Sequence, residues 1–234
     1  MAALIHIETS TNVCSVAFSR GNKILWNREN HEGQSHSVLL GKYIDELLAF
    51  VRMSGILPDG VAVSCGPGSY TGLRIGVSMA KGLCSGWNVP LLSIPTLDIL
   101  AQKAILSVPC EESTDALYCA MIDARRMEVY AALYDCPLQK IRNTEAVVIT
   151  ENSFSPYLDK QKIYFFGNGA EKCKNLLCSP NAVFIDGMHP LAGDMVVLSE
   201  QAYREKHFED VAYFEPVYLK DFVATVPRGV AWTK

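Results

Sequence analysis

The run Gly66-Pro-Gly-Ser-Tyr-Thr-Gly-Leu-Arg-Ile-Gly76 sets four glycines, a proline and three hydroxyls where one apolar segment gives way to another. Backbone amides left free at the start of a helix bind anions, so this is a place where a phosphate or carboxylate could sit. Gly66 and Gly68 permit positive φ or a close backbone approach. Ser69 or Thr71 supplies a side-chain cap for the next helix. The stricter phosphate and nucleophile patterns fail on spacing. A P-loop needs Gly, four residues, then Gly-Lys-Ser/Thr, and no glycine pair here is followed that way. The dinucleotide pattern needs glycine where Thr71 stands. The nucleophile elbow needs glycine at both 67 and 71, where Pro67 and Thr71 are found. An anion pocket and a purely structural turn leading into a docking helix both remain open.

Other chemistry-bearing residues are scattered. His31 and His36 lie on a polar loop and cap with four residues between them, a poor metal spacing that suits exposed or capping roles. His6, inside a strand, reads as a satisfied sheet residue. Glu8 ends that strand, either as a remnant acid or as an acceptor for the turn Thr9–Asn12. Arg74 is a candidate interface or anion contact. Asp123 and Arg125 are expected to pair across the junction of two lobes. No C-x-x-C pair occurs among the eight cysteines, which excludes a zinc ribbon or a thioredoxin-type motif.

The elements that position these residues follow from periodicity. Strands are expected at Leu4–Glu8, Cys14–Arg20 and Lys23–Arg28, with Gly21-Asn22 as a hairpin turn. After a polar loop, Glu29 to Gln34, Ser35 opens a helix with Val38, Leu39, Tyr43, Leu47, Phe50 and Val51 at helical spacing. A buried strand, Gly60–Cys65, leads through the glycine-rich turn into an apolar helix reaching about Gly86. There Gly72, Gly76 and Ala80 form one stripe of small residues. Interior glycines cost roughly 0.5–1 kcal/mol each relative to alanine, so the stripe implies close packing of another backbone. A strand Leu91–Ile94 and a helix from Thr96 to about Leu106 complete this half.

The pattern then restarts. Ile7-Glu8 and Ile122-Asp123 each end a strand and precede a turn and a second apolar run, at an offset of 115 positions. Strands are expected at Leu117–Asp123, Val129–Tyr134, Ala146–Ile149 and Ile163–Phe166, with a short helix opened by Asn152 or Ser153. Gly167-Asn-Gly-Ala170 and a helix echo the first glycine-rich turn. Asp194–Lys206 reads as a last helix, and Pro216–Leu219 leads an irregular tail. Two tandem βββαβαβα units, the second reduced, match the duplicated ribonuclease-H-like fold of the actin-like ATPases. The expected lobes are 1–106 and 107–234.

Composition narrows the class. The 234 residues are 49% hydrophobic and 20% charged, enough for a real core. A net charge of −4 argues against tight nucleic-acid binding by this chain alone and allows work on RNA within a more basic assembly. The N-terminus enters a strand directly, without a signal peptide, and no apolar run is long enough for a membrane span. Cys14, Cys65, Cys84 and Cys119 lie in apolar runs as small hydrophobes. A cytoplasmic protein with reduced thiols is expected.

Ile7-Glu-Thr-Ser-Thr11, the Gly66–Gly76 run, Ile122-Asp-Ala-Arg125 with Glu128-Val-Tyr130, and Glu215-Pro-Val-Tyr-Leu-Lys220 together resemble the bacterial TsaB (YeaZ) family over nearly the whole chain. The resemblance implies a dimerisation subunit of the complex that adds threonylcarbamoyl to a tRNA adenosine. Its implied partners are a TsaD-like catalytic subunit and a TsaE-like ATPase, with tRNA reached indirectly through the complex. The catalytic paralogue carries two metal-binding histidines four residues apart; Thr96 and Leu100 stand at the corresponding positions here. Its second-half serine-glycine-leucine-lysine turn is replaced by Asp123-Ala-Arg-Arg-Met127. No catalytic, metal-binding or cofactor-binding residue is therefore expected. An ATP-dependent small-molecule kinase of the same superfamily, or a metal-dependent peptidase, is the alternative.

The surplus of apolar faces on the two long helices predicts a flat partner surface. Leu39, Leu40, Tyr43, Leu73, Val77 and Lys81 are expected on it, with Arg74 beside them. The same surface would form a homodimer when the partner is absent.

Overall fold

The computed structural model describes residues 1–33, 35–108 and 115–220. Gln34, at the end of the expected polar loop, and the tail beyond 220 lie outside the described residues. Among the described residues, ten strands form two five-stranded sheets. The first holds β1 (Ala3–Glu8), β2 (Cys14–Arg20), β3 (Lys23–Asn30), β4 (Gly60–Gly66) and β5 (Leu91–Pro95), ordered β3-β2-β1-β4-β5. The second holds β6 (Leu117–Asp123), β7 (Glu128–Tyr134), β8 (Lys140–Val148), β9 (Ile163–Phe166) and β10 (Ala182–Ile185), ordered β8-β7-β6-β9-β10. In each, the first strand pairs antiparallel with the second and parallel with the fourth. The restart in the sequence is thus a duplicated topology.

Helices α1 (His36–Ser54) and α2 (Tyr70–Trp87) cover one face of the first sheet. On α1, Leu40, Ile44, Leu47 and Val51 recur at three- and four-residue steps and all point into that core. Helix α3 (Thr96–Ser107) is a wedge. Leu97, Leu100, Ala101 and Ala104 pack on the second sheet, while Ile99 joins the other face of the first. Cys14, Cys65, Cys84 and Cys119 are buried and unbridged, and burial pushes the Cys65 thiol up to about 12. No helix among the described residues is long and apolar enough to cross a membrane.

The second unit departs from expectation in four places. Its third strand begins at Lys140, not Ala146, because an edge strand tolerates the alternating charges of Lys140-Ile-Arg-Asn-Thr-Glu145. The helix expected after Gly167–Ala170 is only a 3₁₀ turn, Glu171–Cys173. Strand β10, four half-buried residues, carries too weak a pattern to announce itself. The short helix after β8 is α4 (Ser155–Leu158), and the last helix opens with a 3₁₀ turn, Ala192–Met195, before α5 (Val196–Arg204). Although α5 comes after the second sheet in sequence, Met195, Leu198, Ala202 and Tyr203 pack on the first sheet against Leu4, Leu92 and Ile94. The tail to residue 220 is irregular and also packs back on the first half.

Candidate functional site

The glycine-rich run meets its other backbone within the chain. A Cβ on Gly68 would strike the Ser10 carbonyl, and one on Gly72 the Thr9 carbonyl, each closer than real Cβ atoms come. At Gly76 the obstacle is the Thr9 hydroxyl. Gly66, at φ +109°, faces the Val217 carbonyl, 2.8 Å from where its Cβ would be. The stripe of small residues on α2 is therefore explained by the turn between β1 and β2. Ser69 N donates to Ser10 O at 2.7 Å, and Thr9 Oγ1 donates to Gly72 O at 2.7 Å. Ser69 Oγ caps the helix by accepting from Gly72 N at 3.3 Å. Thr71 lies exposed on the first turn. The structural turn accounts for the glycines, since the Ser10 and Thr9 carbonyls pack where the Gly68 and Gly72 Cβ atoms would be.

The buried polar groups around this turn are only partly paired: Glu8 Oε2, Ser10 Oγ, Ser64 Oγ and His36 Nδ1 find no hydrogen-bond partner among the described residues. Glu8 is fully buried and accepts from Ser10 N at 2.5 Å. Burial raises its carboxyl to about 7, opposed by the Ser10 hydrogen bond and assisted by the Asp194 charge. His36 Nε2 donates to Thr11 O at 2.6 Å and closes the turn from the start of α1. Ser35, expected as the cap of α1, instead engages the Ser37 hydroxyl at 2.9 Å. His6 is fully buried between Ser19 Oγ at 2.8 Å and Ser199 Oγ at 3.1 Å. Ser199 donates to Met195 O at 2.6 Å, so it accepts from His6 Nδ1–H, and His6 Nε2 accepts from Ser19. Burial lowers His6 to about 3. Thr96 and Leu100 are core residues. Among the described residues, no group of three or more His, Cys, Asp or Glu could hold a metal ion.

The second unit repeats the closure with different residues. Gly167, at φ +97°, and Gly169 press on the Met121 and Ile122 backbone at the end of β6. Gly169 N donates to Met121 O at 3.1 Å, and Asn168 Oδ1 accepts from Asp123 N at 3.0 Å. The β6–β7 turn is pinned from below by Lys172. Its Nζ donates to Arg126 O and Glu128 O, both at 2.7 Å, and to the Asp123 carboxylate. Asp123 also accepts from Arg125 N at 3.1 Å. The expected Asp123–Arg125 pair is thus corrected. The backbone amide of Arg125 is used, its guanidinium is not, and Lys172 is the ionic partner. Arg125 and Arg126 hold positive φ, +67° and +49°, with exposed side chains.

The expected partner face is corrected as well. Leu40, Tyr43 and Val77 belong to the first core, Val77 being 4% exposed, while Leu73 is buried beside Gly66. Their spacing announced an apolar face without saying which side it met, and that side is the sheet. Leu39 is half-buried against the same core. Arg74 lies over the Tyr70 ring, 4.3 Å to its centre, and Nε donates to Tyr218 Oη at 3.2 Å. Lys81 Nζ donates to Ala212 O and Phe214 O, at 2.9 and 3.0 Å. Both cations hold the tail, which therefore covers this flank of α2.

A different apolar surface is open. The C-terminal halves of α1 and α2 enclose a groove of about 340 Å³, floored by Gly82 and Gly86 and walled by Leu48, Leu57, Leu83 and Trp87. A Cβ on either glycine would meet nothing within 4 Å, and Leu57 and Met53 are 68% and 83% exposed. The sequence signal was the second glycine pair. Ten residues separate Gly72 from Gly82. At about 100° per residue that turns the second pair onto another face of the helix.

The model of the family described as TsaD, tRNA N6-adenosine threonylcarbamoyltransferase, matches residues 29–228. The chain is 30% identical over 232 residues to the tRNA threonylcarbamoyladenosine biosynthesis protein TsaB of Haemophilus influenzae, covering 94% of each. It is 29% identical to the Escherichia coli protein of that name, covering 99% of this chain and 97% of that one. The fold is shared with the structure of YeaZ from Pseudomonas aeruginosa, at a TM-score of 0.78, 24% identity, and coverage of 94% and 100%.

Proposed function

The chain belongs to the TsaB family of tRNA threonylcarbamoyladenosine biosynthesis proteins, and from that premise we propose that it serves there as a non-catalytic docking subunit. Its partner is a TsaD-like catalytic relative, a TsaE-like ATPase assists, and tRNA is reached through the assembly, in the cytoplasm. The observation that carries this reading is the groove between α1 and α2. Apolar side chains of two packed helices stand open there over Gly82 and Gly86, so a partner's helix can approach the backbone closely. The filled β1–β2 turn supports the absence of chemistry, because the Ser10 and Thr9 carbonyls already occupy the close approach to Gly68 and Gly72. A second copy of the chain occupies the groove when the relative is missing.

Gly82→Arg tests the docking. The new side chain enters open space on a helix, where arginine is favoured over glycine by about 0.5–1 kcal/mol. The thermal midpoint should hold or rise while co-purification with the TsaD-like relative is lost. Retained co-purification would remove the groove from the interface. Titration calorimetry with Mg-ATP separates the kinase alternative. A docking subunit shows no strong heat on the isolated chain, whereas a kinase shows clear binding.

A further inference from the structure

We propose that the seam between the two sheets, where Arg74, Arg125 and Arg126 are displayed, grips the sugar-phosphate backbone of an RNA. This rests on the reading that the chain works in tRNA modification, and it names the residues that would touch that RNA. The β6–β7 turn is the first support. Two successive non-glycine residues in the left-handed region cost roughly 1 kcal/mol or more each. The turn holds that shape because Lys172 ties Arg126 O, Glu128 O and Asp123 together, and Asp123 accepts from Arg125 N. Every backbone tie points inward. The two guanidiniums make no hydrogen bond or ion pair among the described residues and stand exposed. A rigid turn presenting two free planar cations is suited to bidentate recognition of phosphate.

The tail supplies the second support. It carries Tyr218 onto Arg74 and Tyr70, with the two tyrosine rings 4.9 Å apart, and two residues later Lys220 pairs with Glu128. Two residues span at most about 7 Å of backbone, so the tail carries one strip from Arg74 toward the arginine turn. Glu128 N in turn donates to Arg125 O at 3.2 Å. The strip mixes cations with aromatic rings, the combination that binds RNA through phosphate charge and base stacking. Asp123 and Glu128 are matched by Lys172 and Lys220, and Glu215 acts on Arg74. Five cations thus meet three carboxylates in a chain whose overall charge is −4.

The experiment compares Arg125→Glu/Arg126→Glu with a control that reverses two exposed lysines elsewhere, Lys23→Glu/Lys160→Glu. Each full-length chain is assembled with its TsaD-like relative and titrated with tRNA across a range of salt. The arginine variant should keep the relative, lose about tenfold or more in tRNA affinity, and lower the salt slope by about 2. The control should change neither by a comparable amount. Unchanged affinity and slope in the arginine variant would overturn the proposal. So would loss of the relative, which would make the strip a protein interface. If the unaltered chain fails to hold the relative, the docking reading fails by itself. The same variants on the isolated chain, read as photocrosslinking to tRNA, still decide the RNA contact: a fall confined to the arginine variant supports it, and equal yields reject it.

Discussion

The two sheets share one strand order and one way of closing their first turn, yet the chain continues differently beyond each closure. In the first, Gly68 and Gly72 lay the start of α2 on the Ser10 and Thr9 carbonyls, and the helix runs on to eighteen residues. In the second, Gly167 and Gly169 lie on the Met121 and Ile122 backbone, and only a three-residue 3₁₀ turn comes after them. The closure is common to both because two backbones can meet that closely only without a Cβ. The long helix is particular to the first, and it carries the groove. The second has no such helix and needs a lysine to hold its turn, which leaves the arginines free. The closure is thus a constraint of the fold, whereas the helix and the arginine turn are features available for partners.

The largest effect should come from placing a methyl on each closure. Gly72→Ala and Gly167→Ala both drive a Cβ into a backbone carbonyl, and Gly167 adds a φ of +97°. Each should cost about 3–5 kcal/mol or prevent folding, read as urea midpoints or as yield of soluble chain. If only one of the pair were severe, the closures would not be equivalent.

Next in size is the pH response of the first closure. Glu8 is raised from 4.5 to about 7, so its contribution is full below pH 4.5 and lost as pH rises toward 7. His6 is lowered from 6.5 to about 3, so its contribution is full above pH 6.5 and lost as pH falls toward 3. The two slopes oppose each other between pH 4.5 and 6.5. Glu8→Gln removes one of them, so its urea-midpoint profile should rise between pH 4.5 and 6.5, where the opposed slopes hold the unaltered chain nearly level, an effect on the order of a few kcal/mol. A profile as level as that of the unaltered chain would take Glu8 out of the balance.

Smallest is the lysine that stands in for a helix in the second closure. Lys172→Met leaves three acceptors to solvent and should cost about 1–2 kcal/mol. Hydrogen exchange should quicken at Arg125 to Glu128 and stay unchanged at Thr9 to Asn12. Protection lost equally at both turns would show that they open together.

The duplicated fold was legible because strand alternation and glycine punctuation are local signals. Leu4–Glu8 and Leu117–Asp123 announce themselves, as does the restart between them. The partner face was half legible. Periodicity in α1 and α2 identified an apolar side but could not say that Leu40, Tyr43 and Val77 meet the sheet. What hid the tail's role was the nature of its contacts. Lys81 reaches the carbonyls of Ala212 and Phe214, and Val217 N donates to Cys65 O at 2.8 Å. A carbonyl belongs to every residue, so no side-chain pattern advertises such a bond. Likewise, charges on an edge strand masked the start of β8.

The path of the final segments has a consequence for the order of assembly. Ala192 N donates to Ser15 Oγ at 2.9 Å, α5 covers Leu92 and Ile94, and Glu209 bridges to Leu91 at the free edge of β5. The sheet translated first is therefore finished last. On the ribosome its far side stays bare while the whole second sheet is made, and a chain cut before about residue 190 emerges with that oily flank uncovered for chaperones and proteases to find.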